Sequence, residues 1–513
     1  MNNLSKRLLS VVVTCTMLLS TIPVGTAFAF DKSKTVFALG NAHIDAAWNW
    51  RYAETIREVK TTFTRALDLM DADPNYHFSQ SSSKFYEWAK EYYPELIPRI
   101  DAKVKNGQWE IVGGQVIEPD LNVPSGESLV RQSLYAQRYF QQNFNVTPKV
   151  GWVPDVFGFN YNMPQILKKS GMDYFLTTKL NWNDTNKFPY EVFNWKGPDG
   201  SEVLTYKPTY DYVLNGGSLN SNNFNNMMAK PAALGLDYAI TLYGSGDHGG
   251  GPVPSDISRL NNVNADPNAP TVKMGNAIDA FNTIKANVAD NGVTLPMVDD
   301  ELYLEKHRGT LTSAAPMKKY NRLSEIKAEE TEKLSSIATI LGSAFYPTQK
   351  INAAWAKTNL NQFHDVLPGS SITPVYDDAF NDAEIALNEL NSSSKNAING
   401  IDDRIDTSGK GTAIVLQNTL SWDRTTIAQS VIDVSGKNKV VSIINPKGCQ
   451  VPSQIVNRVG NKVTVEYTAT VPAMGYAVYR AVETKKADIT TNLVVDQANK
   501  TIENRKQNFL FIM

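Results

Sequence analysis

Val36-Phe37-Ala38-Leu39-Gly40-Asn41-Ala42 is a short β-rich run that opens directly onto His43-Ile44-Asp45-Ala46-Ala47-Trp48. Runs of the same kind recur downstream at His77–Ser81, Trp109–Val112, Lys149–Val153, Tyr174–Thr177 and Tyr238–Tyr243. Between them lie longer stretches, Ala53–Met70, Lys84–Lys105 and Ser128–Asn143, whose apolar residues return at three- and four-residue steps as on one face of a helix. From Lys34 to about Glu305 this alternation predicts an α/β domain, a mostly parallel sheet or barrel of βα units. Asp199-Gly200, set between Glu191–Lys196 and Glu202–Tyr206, reads as a hairpin turn because glycine accepts the positive φ such turns need.

From Pro316 to Leu390 the composition shifts to Lys, Glu, Ala and Leu, with three helical patterns broken near Tyr346-Pro347 and Leu367–Thr373, and a small helical bundle is expected. The Ser- and Asn-rich stretch Asn391–Asn396 then reads as a linker. Beyond it, Thr412–Leu416, Thr426–Val434, Val440–Ile444, Lys462–Tyr467 and Tyr476–Val482 alternate or run apolar between turn residues, predicting the start of a β-sandwich. The expected organisation is a leader over 1–29, an α/β catalytic domain over 30–310, a helical bundle over 311–395 and an incomplete β-sandwich over 396–513. The chain finishes on Asn508-Phe509-Leu510-Phe511-Ile512-Met513, an apolar run with no partner segment after it.

Composition excludes several classes of function. The chain has 513 residues, 42% apolar and 20% charged, enough to bury large cores and too apolar for wholesale disorder. Its 50 basic and 52 acidic residues nearly cancel, so no net field holds a nucleic acid or an anionic membrane. Lys6 and Arg7 before the apolar run Leu8–Leu19, with Ala27-Phe28-Ala29 after it, form the pattern of a secretory signal peptide cleaved after Ala29. That run is shorter than the roughly 20 residues of a membrane span, so a secreted product without membrane insertion is expected. Of the two cysteines Cys15 lies in the leader, leaving Cys449 without an internal disulfide partner.

Four segments carry residues suited to chemistry. His43 and Asp45 follow a strand and, two apart on extended backbone, point the same way, offering a nitrogen and a carboxylate oxygen to one cation. Alone, that pair is equally served by a helix-capping Asp beside a packed His. Gly151-Trp152-Val153-Pro154-Asp155-Val156-Phe157-Gly158-Phe159 sets one carboxylate among apolar and aromatic residues, where it needs a partner. Tyr243-Gly244-Ser245-Gly246-Asp247-His248-Gly249-Gly250-Gly251-Pro252 presents Asp247 in a glycine-dense turn without phosphate-loop spacing. Gln362-Phe363-His364-Asp365-Val366-Leu367-Pro368-Gly369-Ser370-Ser371 supplies one of only five histidines. Three acidic motifs ending successive strands, flanked by two rare histidines, suggest one metal–carboxylate pocket.

At these residues the sequence resembles glycoside hydrolase family 38, the α-mannosidases, in its bacterial and vacuolar-lysosomal-like branch. NAHIDAAW, EPDLNVPSGESLVRQ, GWVPDVFGF, GDHGGGP, ELYLEKHRGTLTS and QFHDVLPGSS occur in the family's order. The resemblance implies that His43, Asp45, Asp155 and His364 hold one zinc ion, and that Asp155 is also the nucleophile. It implies Asp247 as general acid/base, and Trp48 and Asp365 as contacts to the sugar. The implied function is a secreted, zinc-dependent, retaining α-mannosidase acting on terminal α-mannosides of glycans, with the zinc gripping sugar hydroxyls rather than activating water. Family members normally continue well beyond this length, so a C-terminally truncated member is expected. A truncated remnant that binds carbohydrate without hydrolysis, or another metal-dependent carbohydrate hydrolase such as a deacetylase, are the alternatives.

Overall fold

The computed structural model describes residues 29–436 and 439–484, with residue 498 and the short strands 494–496, 501–504 and 507–510. The expected leader, apart from Ala29, lies outside the described residues, as do the last three residues of the terminal apolar run. Among the described residues no helix is long and apolar enough to cross a membrane. The chain divides into two compact units, one of residues up to 314 together with 362–375, the other of 315–361 and 376 onward.

In the first unit the strands are β1 (Thr35–Asn41), β2 (Phe78–Gln80), β3 (Trp109–Ile111), β4 (Val150–Trp152), β5 (Tyr174–Leu176), β6 (Val192–Lys196), β7 (Glu202–Tyr206), β8 (Tyr238–Tyr243), β9 (Thr271–Met274) and β10 (Met297–Val298). One sheet runs β3-β2-β1-β8, entirely parallel, with β9 pairing the first half of β1. Residues Val36 to Asn41 are all buried, as befits a strand covered on both faces. The second sheet runs β10-β6-β7-β5-β4 and is parallel except for the β6–β7 pair. That pair is the hairpin read at Asp199-Gly200, and Gly200 has φ +84°. The first sheet ends against the second where the Gly113 N–H donates to the Val150 carbonyl at 2.8 Å.

The continuous helical pattern at Lys84–Lys105 is two helices, Ser83–Tyr92 and Leu96–Lys105. Pro94 explains the break: the residue before a proline is pushed out of the helical region, and Tyr93 has φ −140° and ψ 55°.

The second unit contains helices Ala315–Ile340 and Thr348–Asn361 and most of Thr373–Asp402. Asn391–Asn396 is not a linker; it lies inside the last of these helices, which runs on to Asp402 before the first sandwich strand at Thr412. Ser393 and Ser394 are buried, on the face that carries Leu390, Ala397 and Ile401. Ala397 and Ile401 pack with Leu334 and Ala338, so tertiary burial of a small-residue face overrides weak local propensity.

Two antiparallel sheets follow. One orders β11 (Thr412–Asn418), β17 (Gly475–Thr484), β13 (Val440–Ile444) and β14 (Gln450–Val451), and the other β12 (Arg424–Asp433), β16 (Lys462–Val471) and β15 (Ser453–Val459). Val463, Val465, Tyr467, Ile443 and Tyr479 are among the residues filling their shared core. The sequence pattern missed β14 and β15, because β15 is an edge strand with four of its seven residues exposed or bulged, and its alternation is correspondingly faint. Because Asn391–Asn396 is helical and anchored by the buried Ser393 and Ser394, limited proteolysis of the full chain is expected to spare it; early cleavage there would contradict the packed helix.

Candidate metal centre and acid loop

The site lies wholly within the first unit. β1 ends at Asn41 and delivers His43 and Asp45 on the next residues, while β4 ends at Trp152 and delivers Asp155. His364 arrives from 246 residues beyond Glu118 along the chain, yet its backbone N–H donates to the Glu118 carbonyl at 3.3 Å and its Nδ1 to the same oxygen at 2.9 Å. The neighbouring Asp120 N–H donates to the Gln362 carbonyl at 2.8 Å, which stitches the two segments together.

His43, Asp45, Asp155 and His364 are all buried, and one ligand atom from each lies within 4.8 Å of the others. His364 Nε2 is 3.4 Å from Asp45 Oδ1 and 3.6 Å from Asp155 Oδ2, and His43 Nε2 is 3.0 Å from the same Asp45 oxygen. Glu118 arranges both imidazoles. Its Oε2 is 3.2 Å from His43 Nδ1, and its carbonyl takes the His364 Nδ1 proton, so each ring turns Nε2 toward the carboxylates. His364 Nε2 is buried without a hydrogen-bond partner. An aimed, unpartnered nitrogen beside two carboxylates and a second imidazole is the donor set of a divalent cation of borderline softness, so the residues fit a metal.

The electrostatics agree. Burial works against an imidazolium at His43, but Glu118 and Asp45 outweigh it and raise its titration well above the ordinary range. Burial likewise opposes charge on His364, yet the facing carboxylates of Asp155 and Asp45, with the charge of Asp365, carry it to about 10. Burial would raise Asp155, but His364, Lys179 and His43 hold it well below the usual carboxylate range. Without a metal, protons on the two histidines supply the positive charge that the carboxylates require; a cation would replace them.

Three partners in the site escaped the sequence reading. Glu118 sits inside a motif quoted above without a role. Lys179 is buried and forms a short ion pair with Asp155 Oδ1, its ammonium lying 3.8 Å from the Trp182 ring centre and 4.9 Å from that of Phe157. Tyr212 stacks at a tilt 4.6 Å from His43 and donates its hydroxyl to Asp247 Oδ1 at 2.8 Å. Burial and the charges of Asp155 and Asp247 keep that phenol protonated. A lysine just past a strand end was the only local signal for any of them.

The remaining expected residues take different positions. Asp365 is buried, with Oδ2 3.9 Å from His364 Nε2, its Oδ1 accepting a short bond from Ser370, and its titration raised by burial and by Asp45. Asp247 is not among the four clustered ligands. It adopts φ +62° in the glycine-rich loop after β8, and its carbonyl takes the Asp45 N–H at 2.8 Å. Trp48 is half-buried and joins the site through its neighbours, its ring edge-on to Trp50 at 5.8 Å while Trp50 Nε1 donates to the Asp45 carbonyl at 3.3 Å.

Residues 33–301 match the Glycosyl hydrolases family 38 N-terminal domain, and residues 305–401 match the Alpha mannosidase middle domain. The chain is 40% identical over 352 residues to a Saccharomyces cerevisiae protein named Alpha-mannosidase, covering 66% of this chain and 32% of that protein. It is 36% identical over 406 residues to Alpha-mannosidase 2C1 of Mus musculus, covering 77% and 38% respectively. It therefore spans about a third of the length of these relatives. In fold it is similar to a crystal structure titled as an alpha-mannosidase from Enterococcus faecalis, with TM-score 0.74 at 18% identity, over 92% of this chain and 59% of that one. With a match over more than half of its 513 residues, the chain belongs to glycosyl hydrolases family 38.

Proposed function

We propose that the chain acts as a zinc-dependent, retaining α-mannosidase on terminal α-mannosides of glycans, exported on the leader that ends at Ala29. The observation that carries this reading is the division of labour at Asp155, whose Oδ2 faces the His43–Asp45–His364 cluster while Oδ1 meets Lys179. A carboxylate so compensated stays ionised, as a nucleophile must. Its relatives' name, Alpha-mannosidase, supports the substrate class.

The steps follow from the side chains. Asp155 attacks the anomeric carbon as the glycosidic bond breaks, and Asp247 passes its proton to the departing oxygen. Asp247, then ionised, takes a proton from water, which displaces Asp155 and returns the sugar with its configuration retained. Tyr212, donating to Asp247 Oδ1, orients that carboxyl. Zinc held by His43, Asp45, Asp155 and His364 would supply the positive charge that grips and polarises sugar hydroxyls. Asp365, buried beside His364, and Trp48 are assigned to sugar contacts.

Hydrolysis of an aryl α-mannoside that a chelator abolishes and zinc restores is the primary test, and trapping of a fluorinated mannoside on Asp155 tests the covalent step. Asp155→Asn is expected to lower turnover roughly 10⁴-fold and to weaken the metal. Asp247→Asn is expected to lose about 10²-fold on poor leaving groups and much less on activated aryl mannosides, with metal retained. Glu118→Gln is expected to cost about 10- to 100-fold in metal affinity, measured by calorimetry.

The pH dependence of metal binding has a definite sign. The raised titration of His364 stabilises the metal-free fold below its unfolded value near 6.5, and that contribution is lost as pH climbs toward about 10. The metal needs the same nitrogen deprotonated. The melting increment given by zinc is therefore expected to grow from about pH 5 to pH 8; a flat increment would remove His364 from the ligand set.

A further inference from the structure

We propose that His248 is a positioning residue for Asp247, clamping the glycine-rich loop to the Tyr52–Ala72 helix so that the acid carboxyl is aimed. This rests on Asp247 being the general acid.

Residues 244–251 include five glycines, and a chain so free of side chains does not select one conformation by itself. Asp247 holds a left-handed φ of +62°, which few residues other than glycine adopt. Something outside the loop must maintain it. The Asp45 N–H on the Asp247 carbonyl and the Tyr212 hydroxyl on its carboxylate hold Asp247 from one side, and one face of the helix supplies the contacts on the other. Thr62 Oγ1 accepts the Gly250 N–H at 2.8 Å, and the Arg65 guanidinium donates to the Gly250 carbonyl at 2.9 Å. A Cβ at Gly249 would come within 2.7 Å of Thr62 Oγ1, so the backbone lies directly on the helix there.

Those contacts follow Asp247 by two residues or more, whereas His248 is its immediate neighbour. His248 Nε2 lies 2.8 Å from Glu54 Oε1, the distance of an N–H donating to a carboxylate, and Nδ1 lies 3.8 Å from Glu58 Oε2 one turn along. Its ring stands edge-on to Trp50 at 4.4 Å, and Trp50 in turn donates to the Asp45 carbonyl. The imidazole thereby ties the peptide after Asp247 to the start of that helix and, through Trp50, to the backbone segment that carries His43 and Asp45. Histidine here is neither a ligand of the cluster nor buried core, since its side chain is 44% exposed.

The test compares wild type, H248A, H248Q, E54A and D247N in the full chain on methyl α-mannoside and dinitrophenyl α-mannoside. H248A and E54A are expected to lose about tenfold or more on the methyl glycoside and less than about threefold on the dinitrophenyl glycoside, with metal affinity unchanged. H248Q, whose amide can still donate to Glu54, is expected to recover most of the loss, and amide exchange across residues 244–251 is expected to quicken in H248A alone of these two. Equal losses on both substrates, no loss, no rescue by H248Q, or unchanged exchange would each overturn the clamp. Were D247N to lose equally on both substrates, the acid assignment itself would fall, and amide exchange would then decide whether His248 orders the loop.

Discussion

His43, Asp45, Glu118, Asp155 and His364 are packed together and largely buried, and such a set is tolerable only when its charges are compensated in place. Each carboxylate meets an imidazole or an ammonium, and each imidazole is turned by Glu118. Compensation at distances near 3 Å demands that the backbones carrying these side chains be held rigidly. The all-parallel sheet supplies that rigidity for His43 and Asp45, since β1 is buried from Val36 to Asn41 and paired on both edges. The second sheet does the same for Asp155 at the end of β4.

The same constraint explains the division of the chain. Residues 362–375 leave the helical region to join the first unit, because His364 can complete the cluster only by reaching Glu118. Gln132 Nε2 donating to Gln362 Oε1 at 3.1 Å and the bridge of Pro119 with Phe363 hold the insertion in register. The two carboxylates proposed as nucleophile and acid end in opposite environments. Asp155 is fully compensated by cations, while Asp247 stands on a glycine-rich loop with a phenol as its hydrogen-bond partner. That contrast is what acid and nucleophile roles require of two identical side chains.

Local pattern was enough for most of the elements. The strands beginning near Val36, Trp109, Tyr174 and Tyr238 are short apolar runs between turn residues, and the hairpin at Asp199-Gly200 depends on one glycine. Where the pattern misled, packing or a backbone rule prevailed. Asn391–Asn396 looks like solvated linker, but Ser393 and Ser394 are buried on the helix face that carries Ala397 and Ile401 into a core. Pro94 interrupts a helical periodicity that side chains alone continue. β15 carries too little burial to imprint an alternating pattern on its residues.

The amino-acid sequence by itself determined the α/β alternation, the ordered motifs, and hence the residues His43, Asp45, Asp155, Asp247 and His364 as chemically active types at strand or helix ends. These are properties of contiguous residues. Which atoms face one another was decided only by the tertiary structure, because Glu118 with His364, Lys179 with Asp155, and Tyr212 with Asp247 are contacts between segments 24 to 246 residues apart. No local periodicity encodes such a pairing. It arises when burial forces each charge and each polar hydrogen to find a partner among whatever side chains the packed sheets bring within reach.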